Sequence, residues 1–374
     1  MASFASMMLV AMSFFGCATA RLENVTAGEL ERRLAAMDDA PGVVVGAVWR
    51  DGTRIVRTAG LADVASGKPV LRSTPFAWFS ITKLFTATAI LRLVEAKRVD
   101  LDAPVSRYLP EVRVARRVKE ATVRHLLAHA AGLRNPIPVS WVHLTKEPTP
   151  PLADVVRQRV GETPDLAFEP GAKSAYSNLG YLLLGLIVER VSGEPFQDHV
   201  ASDVLRPLGC KGTAFAGTAE RATGYQRRWS FMGLAASWML DDRFFEGSAG
   251  PYRALRSFEV DGASYGGLSG PVDDLLTFAE MVLAKGQTPT GVFLSETTMA
   301  EALAPFVAAT GEAEEIALGW HLGRIGEEPF VYHLGGGGGF RSELRVYPKL
   351  GYAVVVLANE TSFPTGKWAR LVVR

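Results

Sequence analysis

Residues 80–97, SITKLFTATAILRLVEAK, open on a serine, place Phe85, Ile90, Leu91 and Val94 at helical spacing, and are followed by a polar turn from Asp100. The spacing predicts a buried helix with Ser80 at its start. Residues three apart share a helix face, and a helical side chain leans toward the N-terminus, so Lys83 lies back over Ser80. A base then stands beside a nucleophile, provided that desolvation strips the ammonium of its proton near neutral pH. The helix start also offers unpaired N–H groups to an oxyanion. Ser-x-x-Lys alone recurs by chance as a solvated surface pair, so the rest of the chain has to decide.

Two further segments carry matching chemistry. Tyr176-Ser177-Asn178 precedes a helical stretch from Leu179 to Ser192, and in an extended loop Tyr176 and Asn178 project to one side. The plainer alternative is a core tyrosine followed by a helix-capping asparagine. His333-Leu334-Gly335 ends a strand-like run and enters Gly336 to Gly339, a backbone without side chains to block a ligand lying along it. A mobile glycine loop beside a structural histidine is the alternative there.

The flanking elements give the fold. GVVVGAVWR at 42–50, Asp51-Gly52 and a second apolar stretch from Thr53 to Leu61 read as a hairpin. Pro271 to Leu283 reads as a helix with Asp273 and Asp274 complementing its dipole. Val331–His333, Leu344–Tyr347 and Tyr352–Asn359 read as an antiparallel meander. Strands at both ends with helices between predict an α/β fold: a sheet lobe from about 21–115 and 255–374, and a mostly helical lobe, about 116–254, inserted in the middle. A cleft between the lobes is the expected site.

Composition narrows the function classes. The 374 residues are 48% hydrophobic and 21% charged, ordinary for a globular chain with a large core. Forty Lys and Arg against 39 Asp and Glu give +1, so no electrostatic hold on nucleic acid or anionic membrane is expected. The apolar run from Phe4 to Phe15, ending in Ala18-Thr19-Ala20, reads as an export signal over residues 1–20, although no Lys or Arg precedes it. Its removal leaves residues 21–374, periplasmic or secreted, with Cys210 as the only cysteine and no further span long enough for a bilayer. Phe14-Phe15-Gly16 before Cys17 is a poor lipoprotein signal, so lipidation is the lesser reading.

Ser80-x-x-Lys83, Tyr176-x-Asn178 and His333-x-Gly335, in this order, resemble the three motifs of the serine β-lactamase superfamily, closest to class C β-lactamases and the related esterases and D-Ala-D-Ala carboxypeptidases. TVRHLLAHAAGL, FEPGAKSAYSNLGYLLLG, YGGLSGPVDDLLTFA and GYAVVVLANE also resemble segments of that family, so the likeness covers nearly all of the chain after residue 20. The resemblance implies a β-lactamase-like α+β fold, an antiparallel sheet with helices on both faces. It implies that Ser80 attacks a carbonyl, that Lys83 and Tyr176 carry its proton to the leaving group, and that Asn178, His333 and Gly335 bind substrate. It further implies an oxyanion hole from the N–H groups of Ser80 and Gly336, with neither metal nor organic cofactor.

β-Lactamases of this type usually have Lys where this chain has His333, and that charge helps to bind the substrate carboxylate. The expected activity is therefore a carboxylesterase acting on small-molecule esters, with weak β-lactam hydrolysis. A D-Ala-D-Ala carboxypeptidase or β-lactamase is the alternative, and a non-catalytic penicillin-binding-type receptor a third reading. Oligomeric state is not legible. A competing motif, Gly262-Ala263-Ser264-Tyr265-Gly266, fits a Gly-x-Ser-x-Gly elbow with Asp273 and His321 or His333 downstream, but Arg256 to Asp261 is too polar to be the required buried strand. Trp368 to Arg374 reads as the start of a helix that stops early, which leaves truncation of a longer terminal helix open.

Overall fold

The computed structural model describes residues 21–112, 120–136, 140–162, 165–215, 221–229 and 241–374. The expected export signal and Cys17 lie outside the described residues. Strand β1 (Glu23–Val25) and helix α1 (Ala27–Ala35) lead into the predicted hairpin, β2 (Gly42–Trp49) and β3 (Arg54–Asp63), followed by the short β4 (Lys68–Pro69) and β5 (Phe76–Ala77). Helix α2 (Thr82–Glu95) follows a 3₁₀ turn, Phe79–Ile81. Then come α3 (Val123–Leu127), β6 (Val142–Leu144), α4 (Leu152–Gly161) and α5 (Asn178–Ser192).

The later part holds β7 (Ala214–Phe215), β8 (Phe258–Val260), β9 (Leu268–Gly270) and α6 (Val272–Leu283). It closes with β10 (His321–Ile325), β11 (Glu328–Gly337), β12 (Phe340–Tyr347), β13 (Tyr352–Ala358), α7 (Thr365–Ala369) and β14 (Leu371–Val373). Among the described residues the main sheet has seven strands in the order β10-β11-β12-β13-β2-β3-β4, all antiparallel. Both chain ends thus build one sheet, joined where β13 pairs with β2 from Val43↔Ala358 to Trp49↔Tyr352.

Why these strands read as continuous apolar runs is clear from the two cores. Val44 and Val48 of β2, with Val355 and Leu357 of β13, enter the core shared with α2, α5 and α6. Val43, Val45 and Ala47, with Val354 and Val356, enter a second core closed by α1 and α7. A sheet covered on both faces has no polar alternation to show. Helix α6 lies so close to β2 that a Cβ on Gly46 would come within 2.6 Å of Val272. Helix α2 is the central rod: eleven of its fourteen residues are buried, Lys83 among them, so its apolar stripe extends to nearly the whole circumference.

Three local expectations are corrected. Phe258–Val260 does form a strand despite its polar neighbours, because it pairs with β6 and buries Phe258 and Val260. The stretch between α5 and β8 carries, besides short helices, a three-stranded sheet of Tyr225–Arg227, Phe245–Ala249 and Tyr252–Leu255. The C-terminal residues are strand, not continuing helix: β14 runs parallel to β1, and the buried Tyr352 hydroxyl donates to Leu371 O and accepts from Val373 N–H. Among the described residues no helix is long and apolar enough to cross a membrane.

Candidate active site

Ser80 sits in the 3₁₀ turn that leads into α2, and its backbone is fixed from both sides. Trp78 donates its N–H to Leu268 O and its indole Nε1 to Gly270 O, both at 2.9 Å, and its carbonyl accepts from Ser342 Oγ of β12 at 2.9 Å. Thr82 Oγ1 accepts from Leu268 N–H at 3.1 Å. Between these anchors Phe79 is held at φ +46, a region costly for a side chain with a Cβ. Such strain persists because the flanking hydrogen bonds over-determine the turn. Gly335 permits the close approach: a Cβ there would stand 2.0 Å from Trp78 O. The Ser80 N–H has no acceptor among the described residues, which leaves it free for a ligand oxygen.

Lys83 Nζ is completely buried and lies 3.1 Å from Ser80 Oγ, 2.8 Å from Asn178 Oδ1 and 2.7 Å from Tyr265 O. Burial alone pushes its ammonium well below the ordinary lysine range, toward the neutral amine that a base requires. Such an amine has two N–H donors and one lone pair. Asn178 Oδ1 and the Tyr265 carbonyl are pure acceptors that take both of these hydrogens, so in the neutral form the lone pair is aimed at Ser80 Oγ–H.

Tyr176 stands beside Ser80, whose hydroxyl acts on its phenol, and its ring centroid is 4.9 Å from Lys83 Nζ. Burial raises its phenol above the ordinary tyrosine value, so it is protonated and able to donate. Asn178 opens α5 and the neighbouring Ser177 takes the capping role, accepting from Gly180 N–H. The segment is set from outside: His129 Nδ1 accepts from Ser177 N–H at 3.1 Å, and its ring packs 4.5 Å from Tyr176.

His333 lies 1% exposed beneath this group, 6.3 Å from Tyr176 ring to ring. Its Nδ1–H donates to Leu334 O at 2.8 Å, which makes Nε2 the acceptor nitrogen. His321 stacks on Tyr176 at 6.0 Å and 20° and stands 5.2 Å from His333. Burial and Lys83 lower His321 to about 4, and burial takes His129 and His333 well below the ordinary value. The three histidines are therefore neutral at pH 7. Strand β11 pairs with β10 only as far as Tyr332, so His333 to Gly337 present an edge on that side, with Gly336 exposed.

All six residues singled out by side chain or glycine motif, Ser80, Lys83, Tyr176, Asn178, His333 and Gly335, thus fall in one place, with Gly336 on the adjoining edge. The rival elbow does not: Ser264 is wholly buried against Gly185 of α5, and Asp273 is engaged by Arg72 and Arg54. Its loop instead supplies the Tyr265 carbonyl that holds Lys83. Sequence reasoning missed that carbonyl, His129 and the stacking of His321. A backbone oxygen has no side-chain signature. His129 did stand within TVRHLLAHAAGL, the one available pointer.

Comparison with known proteins agrees with this geometry. A family model described as Beta-lactamase matches residues 29–372. A penicillin-binding protein of Bacillus subtilis (strain 168) is 25% identical over 305 residues, 80% of this chain and 64% of that protein. Esterase EstB of Burkholderia gladioli is 35% identical over 216 residues, 52% of this chain and 51% of that one. The matched stretches thus span between about half and two thirds of these relatives. The crystal structure of a D-amino acid amidase from Ochrobactrum anthropi SV3, complexed with L-phenylalanine, has a TM-score of 0.71 at 23% identity, covering 89% of this chain and 90% of that one; this likeness is one of fold.

Proposed function

Because this chain belongs to the Beta-lactamase family of serine hydrolases, we propose that it is a carboxylesterase acting through an acyl-Ser80 intermediate. The observation that carries the reading is the placement of the buried Lys83 Nζ, 3.1 Å from Ser80 Oγ and held by Asn178 Oδ1 and the Tyr265 carbonyl, where burial disfavours its charged form.

Ser80 Oγ attacks the ester carbonyl while its proton passes to Lys83, and the carbonyl oxygen becomes an oxyanion facing the N–H groups of Ser80 and Gly336. The Tyr176 hydroxyl then gives its proton to the departing alkoxide and recovers one from the Lys83 ammonium. The acyl–oxygen bond of the substrate breaks and the acyl group stays on Ser80. Water attacks this second ester, with the same groups drawing off its proton, and the released Ser80 is reprotonated. A positioned base contributes about 10²- to 10⁴-fold, and an oxyanion donor about 10²- to 10³-fold.

The choice of esters rests on His333. It is neutral and hydrogen-bonded to its own neighbour, so it does not supply the cation that would hold a carboxylate on the leaving group. An ester needs no such anchor. The similarity to esterase EstB supports the same choice. Short-chain p-nitrophenyl esters are expected to be hydrolysed faster than nitrocefin or a D-Ala-D-Ala peptide. Ser80→Ala is expected to abolish that turnover and labelling by a fluorophosphonate; hydrolysis unchanged in Ser80→Ala would overturn the assignment.

A further inference from the structure

Taking the proton of Ser80 makes Lys83 an ammonium, and the site must hold that charge for as long as the oxyanion exists. Among the described residues no carboxylate is paired with Nζ. The imidazoles that face it are His129 from just after α3, His321 from β10 and His333 from β11, and a positive Lys83 acts against the protonation of each. Its oxygen partners, Ser80 Oγ, Asn178 Oδ1 and Tyr265 O, are uncharged. Burial therefore opposes the form that the first step creates.

Three tyrosine rings stand around this nitrogen. Nζ lies over each of them, 4.9 Å from the centroid of Tyr176, 5.5 Å from that of Tyr181 and 5.4 Å from that of Tyr265. The face of an aromatic ring is negative, and within about 6 Å it attracts a cation, most strongly where water is excluded. Tyr181 and Tyr265 are both buried. Their hydroxyls are tied elsewhere: Tyr181 donates to Leu127 O at 3.1 Å and Tyr265 to Trp141 O at 3.2 Å. Burial raises both phenols, so both stay protonated and uncharged. What these two side chains offer Lys83 is the ring alone. Helix spacing places one of them: Tyr181 follows Asn178 by three residues on α5, so its ring and the Asn178 amide share the face that meets Lys83.

We infer that Tyr181 and Tyr265 are supporting residues of the base, their rings, with that of Tyr176, stabilising the ammonium that Lys83 becomes. The charge appears as Ser80 Oγ bonds to the substrate carbonyl carbon and its proton moves to Nζ. It is discharged when Tyr176 gives its own proton to the departing oxygen and takes one from Nζ. The inference rests on the reading of Lys83 as the base of an acyl-Ser80 hydrolase, and it supplies the counterpart to positive charge that a carboxylate would otherwise provide.

Tyr181 allows a test that leaves the shape of the core alone. Tyr181→Phe keeps the ring and loses only the bond to Leu127 O, and its kcat/KM for p-nitrophenyl acetate should stay within about threefold of the parent. Placing 4-fluoro-, 3,5-difluoro- and 3,4,5-trifluorophenylalanine at the same position then drains the ring face stepwise with little change in volume; circular dichroism checks that each variant is folded. Relative to Tyr181→Phe, kcat/KM and the rate at which a fluorophosphonate labels Ser80 are expected to fall with each fluorine, by about 3- to 10-fold in all, the worth of one cation–π contact. The acid limb of the kcat/KM profile should move to lower pH in the same order, because a less favoured ammonium gives up its proton sooner. Loss of packing or of the Leu127 bond would not follow the fluorine count. Equal rates and an unmoved acid limb across the fluorinated series overturn the inference. A Ser80 that is labelled in neither the parent nor any variant overturns the hydrolase reading instead.

Discussion

At the scale of single residues, the site depends on a lysine that burial turns away from its charged form. Lys83→Met is expected to lower kcat/KM by about 10²- to 10⁴-fold. It is also expected to stabilise the fold at neutral pH. The folded Lys83 has a pKa far below 10.5, so the unfolded chain binds a proton that the folded one refuses, and this lysine costs most at low pH and nothing above about 10.5. Chemical denaturation at pH 7 and pH 10.5 checks both signs: Met should gain at the first and lose that gain at the second. Ser80 and Lys83 were legible because their relation is local, three positions on one helix. The partners of Lys83 were less so. Asn178 was marked by its motif, whereas the Tyr265 carbonyl and the His129 ring reach the site from loops whose course is set by packing.

At the scale of elements, the nucleophile turn and β11 are fitted to each other through a glycine. Gly335→Ala places a methyl against Trp78 O, a backbone atom that itself holds the Ser342 hydroxyl, so turn or strand must move. We expect a loss of about 1–3 kcal/mol in urea unfolding together with a fall in kcat. Gly336→Ala is the control, since only the flexible tip of Arg341 stands in its way; its stability should stay within about 0.5 kcal/mol. The hairpin, α2, α5, α6 and the late meander were legible because period and turn residues agree there. Strands β8 and β14 were not. Phe258–Val260 is held by β6, and Leu371–Val373 by β1 and the Tyr352 hydroxyl, partners that lie far off in sequence.

At the scale of the whole molecule, three neutral histidines, the buried His129 and His333 and the partly buried His321, make the fold sensitive to acid. His129, His321 and His333 all have pKa values below 6.5 when folded, so as pH falls below 6.5 the unfolded chain takes up protons first. Stability is therefore complete above about 6.5 and is lost toward pH 4, where His321 protonates in place. Its share is about 3 kcal/mol over that range. His321→Phe should flatten the corresponding fall in Tm, measured by calorimetry from pH 7 to pH 4. That one sheet is built from both ends of the chain was foreseeable from strands at either end. Which strands meet was not, because neither β2 nor β13 carries a local mark of its partner.

The meeting of those two strands also sets an order in time. Gly42 N–H donates to Asn359 Oδ1 at 2.7 Å across 317 residues of chain, and the valines of β2 are covered only when β13 arrives. At about 5–20 residues per second, a growing chain holds the first hairpin with a raw apolar edge for roughly 15–60 s before its neighbour is made. The sheet is thus closed last at its middle. Until then the nascent protein depends on being kept from pairing with other chains, whether by a holding chaperone or by delay of collapse.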